Sequence, residues 1–147
     1  MKTMTATDFT TTVVVDRSPE EAFDGIANVS AWWAKNFKGS AKNVNDAFTV
    51  TFGNTFVDFK ITEAVSGKKA IWLVTDCNLD WIKDKKEWNG TQVVWDIAPV
   101  GNATEIVMTH VGLVPASECY DDCYAGWTGH IQGSLYKLLS EGVGQPE

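Results

Sequence analysis

The stretch ECYDDCYAGWTGHIQGSLYKLLSEG, from Glu118 to Gly142, is the one segment with the pattern of a long helix. The short strand-like runs before it need something to close around. At about 100° per residue, Tyr120, Trp127, Ile131 and Leu138 fall in one narrow arc, with Tyr124 and Leu135 widening it on one side and Cys123 and Ser134 on its other flank. Ser117 stands where a cap belongs, and Glu118, Asp121 and Asp122 sit near the positive end of the helix dipole. Gly142, Gly144 and Pro146 mark the stop. Gly126, Gly129 and Gly133 form a second stripe, without side chains. Each glycine costs up to about 1 kcal/mol relative to alanine in a helix. Either a neighbour packs close there or the helix is locally adjustable.

The rest of the chain reads as strands and two small helices. Residues 8–16 (DFTTTVVVD) alternate and are β-branched, with Phe9, Val13 and Val15 on one face. Ser18-Pro19-Glu20-Glu21 is a capping box with proline at the first helical position, and the helix it opens turns Ala22, Phe23, Ile26 and Ala27 inward. A second short helical piece holds Val29, Trp32 and Trp33, and 38–46 reads as a loop. Strands follow at 47–52, 55–64, 68–76, 91–98 and 103–111, with turns at Gly53-Asn54, Ser66-Gly67 and Gly101-Asn102. An irregular segment, 77–90, carries Trp81 and Trp88. Val57, Phe59 and Ile61 share a dry face, as do Val93, Trp95 and Ile97, and again Ile106, Met108 and His110. Asp58, Asp96 and Glu105 fall on the wet face.

Tight turns between successive short strands favour an antiparallel meander over parallel crossovers. Such a sheet must cover its apolar face, and the terminal helix is the element long enough to do so. The expected fold is α+β: a curved antiparallel sheet wrapped around a long C-terminal helix, with two short helices after the first strand, in one domain spanning 1–147.

At this point the chain resembles the Bet v 1/START-like (SRPBCC) superfamily, and within it the homologues of the C-terminal domain of the Hsp90 ATPase activator. The pieces that carry the resemblance are VVVDRSPEEAFDGIANVSAWW, TQVVWDIAPVGNATEIVMTHVGL and GWTGHIQGSLYKLL. They are loose, aromatic and structural, specific for a fold rather than for a chemistry. The resemblance implies a helix-grip fold with a cavity between sheet and helix. Its members include lipid and hormone carriers, polyketide cyclases and chaperone regulators. The activator carries a further N-terminal domain with no counterpart in these residues.

Composition narrows the function classes. The net charge is −7, and of twelve basic residues Arg17 is the one arginine, which argues against nucleic-acid or anionic-membrane partners. Lys83, Lys85 and Lys86 are interrupted by Asp80, Asp84 and Glu87 and read as a solvated loop. Three cysteines and an N-terminus (MKTMTATD) without an apolar core point to a reducing cytoplasm. Seven tryptophans and seven phenylalanines suggest a bulky core or a pocket for an apolar ligand.

Candidate chemistry is sparse. His110 should point at the helix, either as a satisfied core histidine or as a polar group orienting a ligand. Cys119, Cys123 and His130 share a stripe, but Cys119 and His130 stand roughly 16 Å apart along a helix, too far for one tetrahedral ion. No metal or cofactor is expected, and Gly-rich phosphate loops are absent. A regular helix holds side chains four apart about 5–6 Å apart at Cβ, against the roughly 3.5–4.5 Å of a disulfide, so a Cys119–Cys123 bridge is not expected. Nothing places Cys123 beside a histidine as a nucleophile. The remaining signal is aromatic: Trp32, Trp33, Phe52, Phe59, Trp72, Trp81, Trp95 and Trp127, with Met108, His110 and Cys123, are the candidate ligand-binding set. Ile71 and Leu73 make a second apolar face beside Trp72, a candidate homodimer contact. Three readings follow: a binder of an apolar small molecule, a chaperone- or stress-related interaction module, and a cyclase- or hydrolase-like enzyme using His110 or His130.

Overall fold

The computed structural model describes residues 7–147; most of the MKTMTATD segment lies outside them. Strand β1 (Phe9–Val15) leads into α1 (Pro19–Ala27) and α2 (Val29–Trp32). Then come β2 (Phe37–Gly39), β3 (Ala47–Phe52), β4 (Thr55–Val65), β5 (Lys69–Asn78), β6 (Gln92–Val100) and β7 (Ala103–Val111). The strands form one antiparallel sheet in the order β1-β7-β6-β5-β4-β3-β2. Thus β2 to β7 run as a meander, and β1 joins from the far end of the sequence. The 38–46 loop is shorter than expected, because Phe37–Gly39 pairs with β3. Two register shifts in the β4–β5 ladder bend the sheet, since a bulge adds local twist and a kink.

The period-two pattern places the apolar residues as expected. Phe48 pairs with Phe59, Ile61 with Trp72, Ala70 with Trp95, and Trp95 with Met108, all buried on the concave face. Trp72 points inward, leaving Ile71 and Leu73 half-buried on the other side. The small helices close one end. Ser18 Oγ accepts from Glu21 N, and Glu21 Oε1 accepts from Ser18 N, each at 3.1 Å, the reciprocal cap read from the sequence. Arg17 Nε donates to the Leu139 carbonyl at 2.6 Å, so the arginine holds a carbonyl near the end of the terminal helix.

That helix is not uniform. It comprises α3 (Tyr120–Thr128), a π-helical segment (Gly129–Leu135) and α4 (Tyr136–Glu141), ending at Gly142 with φ 86°. The glycine stripe explains the choice between the two earlier alternatives. A Cβ at Gly126, Gly129 or Gly133 would meet nothing within 4 Å among the described residues, so none of them packs close. Two of the three lie inside the π segment instead, where the helix has widened. The wider turn also resets the buried face. Buried residues recur at Cys123, Trp127, Ile131, Leu135 and Leu139, in steps of four. A regular helix drifts about 40° per such step; i→i+5 turns take up part of that drift. Leu139 is therefore inside, and Leu138, expected in the inward arc, is only partly buried.

The start of the helix differs from expectation as well. Cys119 is the N-cap, with φ −85° and ψ 3°, and Ser117 does not cap α3. Ser117 Oγ accepts instead from Val114 N at 3.1 Å, closing the preceding turn. Two amides at the head of the helix, that of the N-cap and that of the residue before it, are met from a distance: Glu87 Oε2 accepts from Glu118 N at 2.6 Å and Glu87 Oε1 from Cys119 N at 3.1 Å. Glu118 returns the arrangement, accepting from Lys83 N at 2.7 Å and Asp84 N at 2.9 Å. These two amide bonds hold its carboxyl below the usual carboxylate range. The segment read as a solvated loop is thus clamped to the helix by two carboxylates.

Candidate ligand pocket

The core is a chain of rings. Phe48 stacks on Phe59 at 4.9 Å, Phe59 meets Trp72 at 5.5 Å, Trp72 meets Trp95 at 5.3 Å, and Trp95 meets Trp32 edge-to-face at 5.7 Å. Trp32 donates from Nε1 to the Ile26 carbonyl at 3.1 Å. Among the described residues, the indole N–H groups of Trp72 and Trp95 are buried without an acceptor. Trp33, just after α2, bridges this interior to the helix: its ring lies 4.8 Å from Trp127 and 5.9 Å from Phe52. Trp127 stacks on Trp88 at 5.9 Å with the planes 8° apart.

Beside these outer rings opens a cavity of about 240 Å³. Trp33, Trp88 and Trp127 face it, with Phe52, Val57 and Leu79 completing the apolar wall. Cys123 and Gly126 contribute from α3, and Trp81, 49% exposed, stands at the rim. The polar lining consists of Thr55, Asp122, His130 and Glu147. Trp81 Nε1 donates to Asp122 Oδ2 at 3.0 Å, which fixes the rim ring against the helix. Gly126 matters by what it lacks, since a side chain there would project into open space.

Of the candidate set, the structure brings Trp33, Phe52, Trp81, Cys123 and Trp127 to this cavity. Trp32, Phe59, Trp72, Trp95, Met108 and His110 lie in the packed interior and are not part of its lining. Trp88, Leu79, Val57 and the polar lining stand in the cavity wall without belonging to the candidate set. Trp88 and Leu79 belong to an irregular segment whose course has no periodicity to read.

His110 is fully buried and its ring is satisfied on both sides. An indole N–H can only donate, so the 3.1 Å contact from Trp127 Nε1 makes His110 Nδ1 an acceptor. The ring proton then sits on Nε2, which donates to Thr91 Oγ1 at 2.9 Å. Thr91 Oγ1 in turn donates to the Trp88 carbonyl at 2.6 Å. The neutral ring thus ties strand, loop and helix together, and burial pushes its pKa down to about 3. His130 is half-buried at the cavity edge, with Nε2 3.7 Å from Glu147 Oε1. Burial lowers its pKa, and Glu147 opposes the shift.

The cysteines correct the sequence reading. Cys119 and Cys123 form a disulfide, with Cα atoms 5.7 Å apart, inside the usual range. A regular helix through both would hold them too far apart, but Cys119 precedes the first helical residue. Trp88 Nε1 lies 3.3 Å from Cys119 Sγ. Cys77 is a buried free thiol, its pKa raised by burial, donating to the Lys85 carbonyl at 3.4 Å. Among the described residues no cluster of three or more metal-ligating side chains occurs, and no helix is long and apolar enough to cross a membrane.

No protein-family model and no curated protein sequence matches the chain. Solved structures do. The Aha1 dimer from Colwellia psychrerythraea, solved in solution, is similar at 21% identity and TM-score 0.76, over 92% of this chain and 98% of that one. The crystal structure of DynU16, from the dynemicin biosynthetic locus, is similar at 16% identity and TM-score 0.71, over 92% of this chain and 48% of that one. Protein SSP2350 from Staphylococcus saprophyticus is similar at 12% identity and TM-score 0.71, over 96% and 98%. The likeness is one of fold: the chain has the helix-grip fold of the Bet v 1/SRPBCC type that its motifs suggested.

Proposed function

We propose that this chain, acting as one domain, binds a small aromatic or apolar molecule in the cavity between β3–β4, the 79–91 segment and α3. The carrying observation is the cavity of about 240 Å³ walled by Trp33, Trp88 and Trp127. Its size selects the ligand. A dry cavity of roughly 150 Å³ takes up benzene, so this one suits a substituted ring or a fused bicycle rather than a long acyl chain. His110 is better read as scaffold than as catalyst, since both its nitrogens are engaged.

A thermal-shift and tryptophan-fluorescence titration with 2-naphthylmethanol should raise the melting temperature and quench emission. Gly126→Leu should abolish both responses by filling the cavity. It should not lower the melting temperature itself, because leucine favours a helix over glycine by up to about 1 kcal/mol. An unchanged response in Gly126→Leu, or no response in the parent protein, sinks the reading.

A second reading is self-association through the outer face of the sheet. Ile71 and Leu73 are half-buried there, and Val14 and Val111 are exposed on β1 and β7. Sedimentation at micromolar concentration should give a dimer that Leu73→Lys dissociates; a monomeric parent protein excludes it.

A further inference from the structure

Resting on the binding reading above, we infer that the pocket's ligand is a cation: an arylalkylamine whose ring lies against Trp33 and Trp127 and whose ammonium sits at the rim between Trp81, Asp122 and Glu147. Four observations carry this. The rim has two carboxylates, Asp122 and Glu147, and among the described residues no lysine or arginine lines the cavity. Asp122 is held in place: its Oδ2 accepts from Trp81 Nε1 at 3.0 Å, and among the described residues no donor meets Oδ1. The rim also carries an indole ring, Trp81, and indole faces attract cations more strongly than those of other aromatic side chains. Among the described residues the neighbouring base in the lining is His130, 3.7 Å from Glu147; burial lowers its pKa, and Glu147 opposes that shift. His130 does not cancel the rim's charge.

The surroundings agree. In the loop that forms the outer wall, Lys85 Nζ is turned to the carbonyls of Asp80 and Ile82, at 2.8 and 3.1 Å. The chain as a whole is acidic, with a net charge of −7, which steers cations toward it and anions away. An apolar cavity alone would accept neutral, cationic or anionic rings of the same size. The carboxylate rim discriminates among them.

The test uses three probes with one ring system: 2-naphthylmethylamine, 2-naphthylmethanol and 2-naphthoate. Isothermal calorimetry at low ionic strength should give the amine the tightest binding, about tenfold or more tighter than the alcohol, with the naphthoate weakest. Added salt should narrow the gap. Asp122→Asn keeps an oxygen for the Trp81 N–H but loses the charge, and combined with Glu147→Gln it should bring the amine-to-alcohol ratio close to one. Glu105→Gln, on the outer face, should leave the ratio as it is. If amine and alcohol bind alike, or if the double variant keeps the ratio, the charge assignment falls while the pocket stands. If none of the three binds, the pocket reading falls and takes this inference with it.

Discussion

Trp127→Ala should destabilise the protein by about 4–5 kcal/mol, the largest loss expected from any single pocket residue. Truncating a buried tryptophan typically costs about 3–5 kcal/mol through lost burial and the cavity left behind. Trp127 is 3% exposed, packs on Trp33 and Trp88, and belongs to the helix that closes the sheet. A further cost comes from His110, whose Nδ1 would lose the indole N–H that satisfies it; an orphaned buried acceptor costs about 1–3 kcal/mol. Because whole domains have stabilities of only about 5–15 kcal/mol, the variant should sit near the edge of folding. Trp127→Phe separates the two contributions, keeping much of the ring contact and losing the N–H, and should cost about 2 kcal/mol. Urea denaturation of the three proteins measures this through the midpoint at constant slope. A loss below about 1 kcal/mol for the alanine variant would mean that the ring is not packed between Trp33 and Trp88.

Acidification should be the second large effect, through His110. Its folded-state pKa lies at about 3 against an ordinary value of 6.5. The unfolded chain therefore binds a proton at a pH where the folded chain does not. The stability contributed by the neutral ring is complete above pH 6.5 and is lost as pH falls from there toward about 3. Between pH 7 and pH 5 the loss should be about 2 kcal/mol, at 1.36 kcal/mol per unit once below the unfolded value. Most carboxylates stay ionised across that interval, so they do not obscure it. His130 is shifted in the same direction and adds to the slope. His110→Asn retains an acceptor near Trp127 Nε1 but has nothing to titrate. It should be less stable at pH 7 and much flatter between pH 7 and pH 5. A parent protein equally stable at both values would contradict the buried neutral ring.

Much of the fold was legible because burial on one side of a sheet writes itself at period two. The strands at 47–52 and 103–111 were found with their bounds, and the inward rows through Phe59, Trp95 and Met108 followed from alternation. The capping box at Ser18 was legible because both of its partners lie within one turn. What was not legible depended on partners far along the chain or on irregular backbone. Glu87 accepts from the amides of Glu118 and Cys119, and Glu118 from those of Lys83 and Asp84, across about thirty residues, and no local pattern marks a carboxylate that reaches the head of a distant helix. The β2 strand is three residues long and mostly exposed, too short to show a period. The π segment was visible only as glycines in an odd place, and assuming a regular helix put Leu138 inside where Leu139 belongs. The same assumption misjudged the Cys119–Cys123 pair. At the site, aromatic content pointed to a pocket, but which rings face a void and which fill the interior depends on the helix register and on the course of the 79–91 segment.

The pairing of β1 with β7 also governs the order of assembly. Five hairpin ladders, from β2–β3 through β6–β7, join neighbours in sequence, whereas Phe9 opposite His110 closes a loop of about a hundred residues. The length-dependent entropy of closing such a loop is roughly 4 kcal/mol, against about 1 kcal/mol for a tight hairpin. The meander is therefore the early structure and β1 the late arrival, in a topology whose non-local contacts make folding slow. Trp33 reaches its place through the helices that β1 leads into, and Trp127 through the helix that follows β7. The cavity has no existence in the meander alone. It comes into being when the two ends of the chain meet, so ribosome-bound chains still lacking the last strand and helix carry no site to occupy.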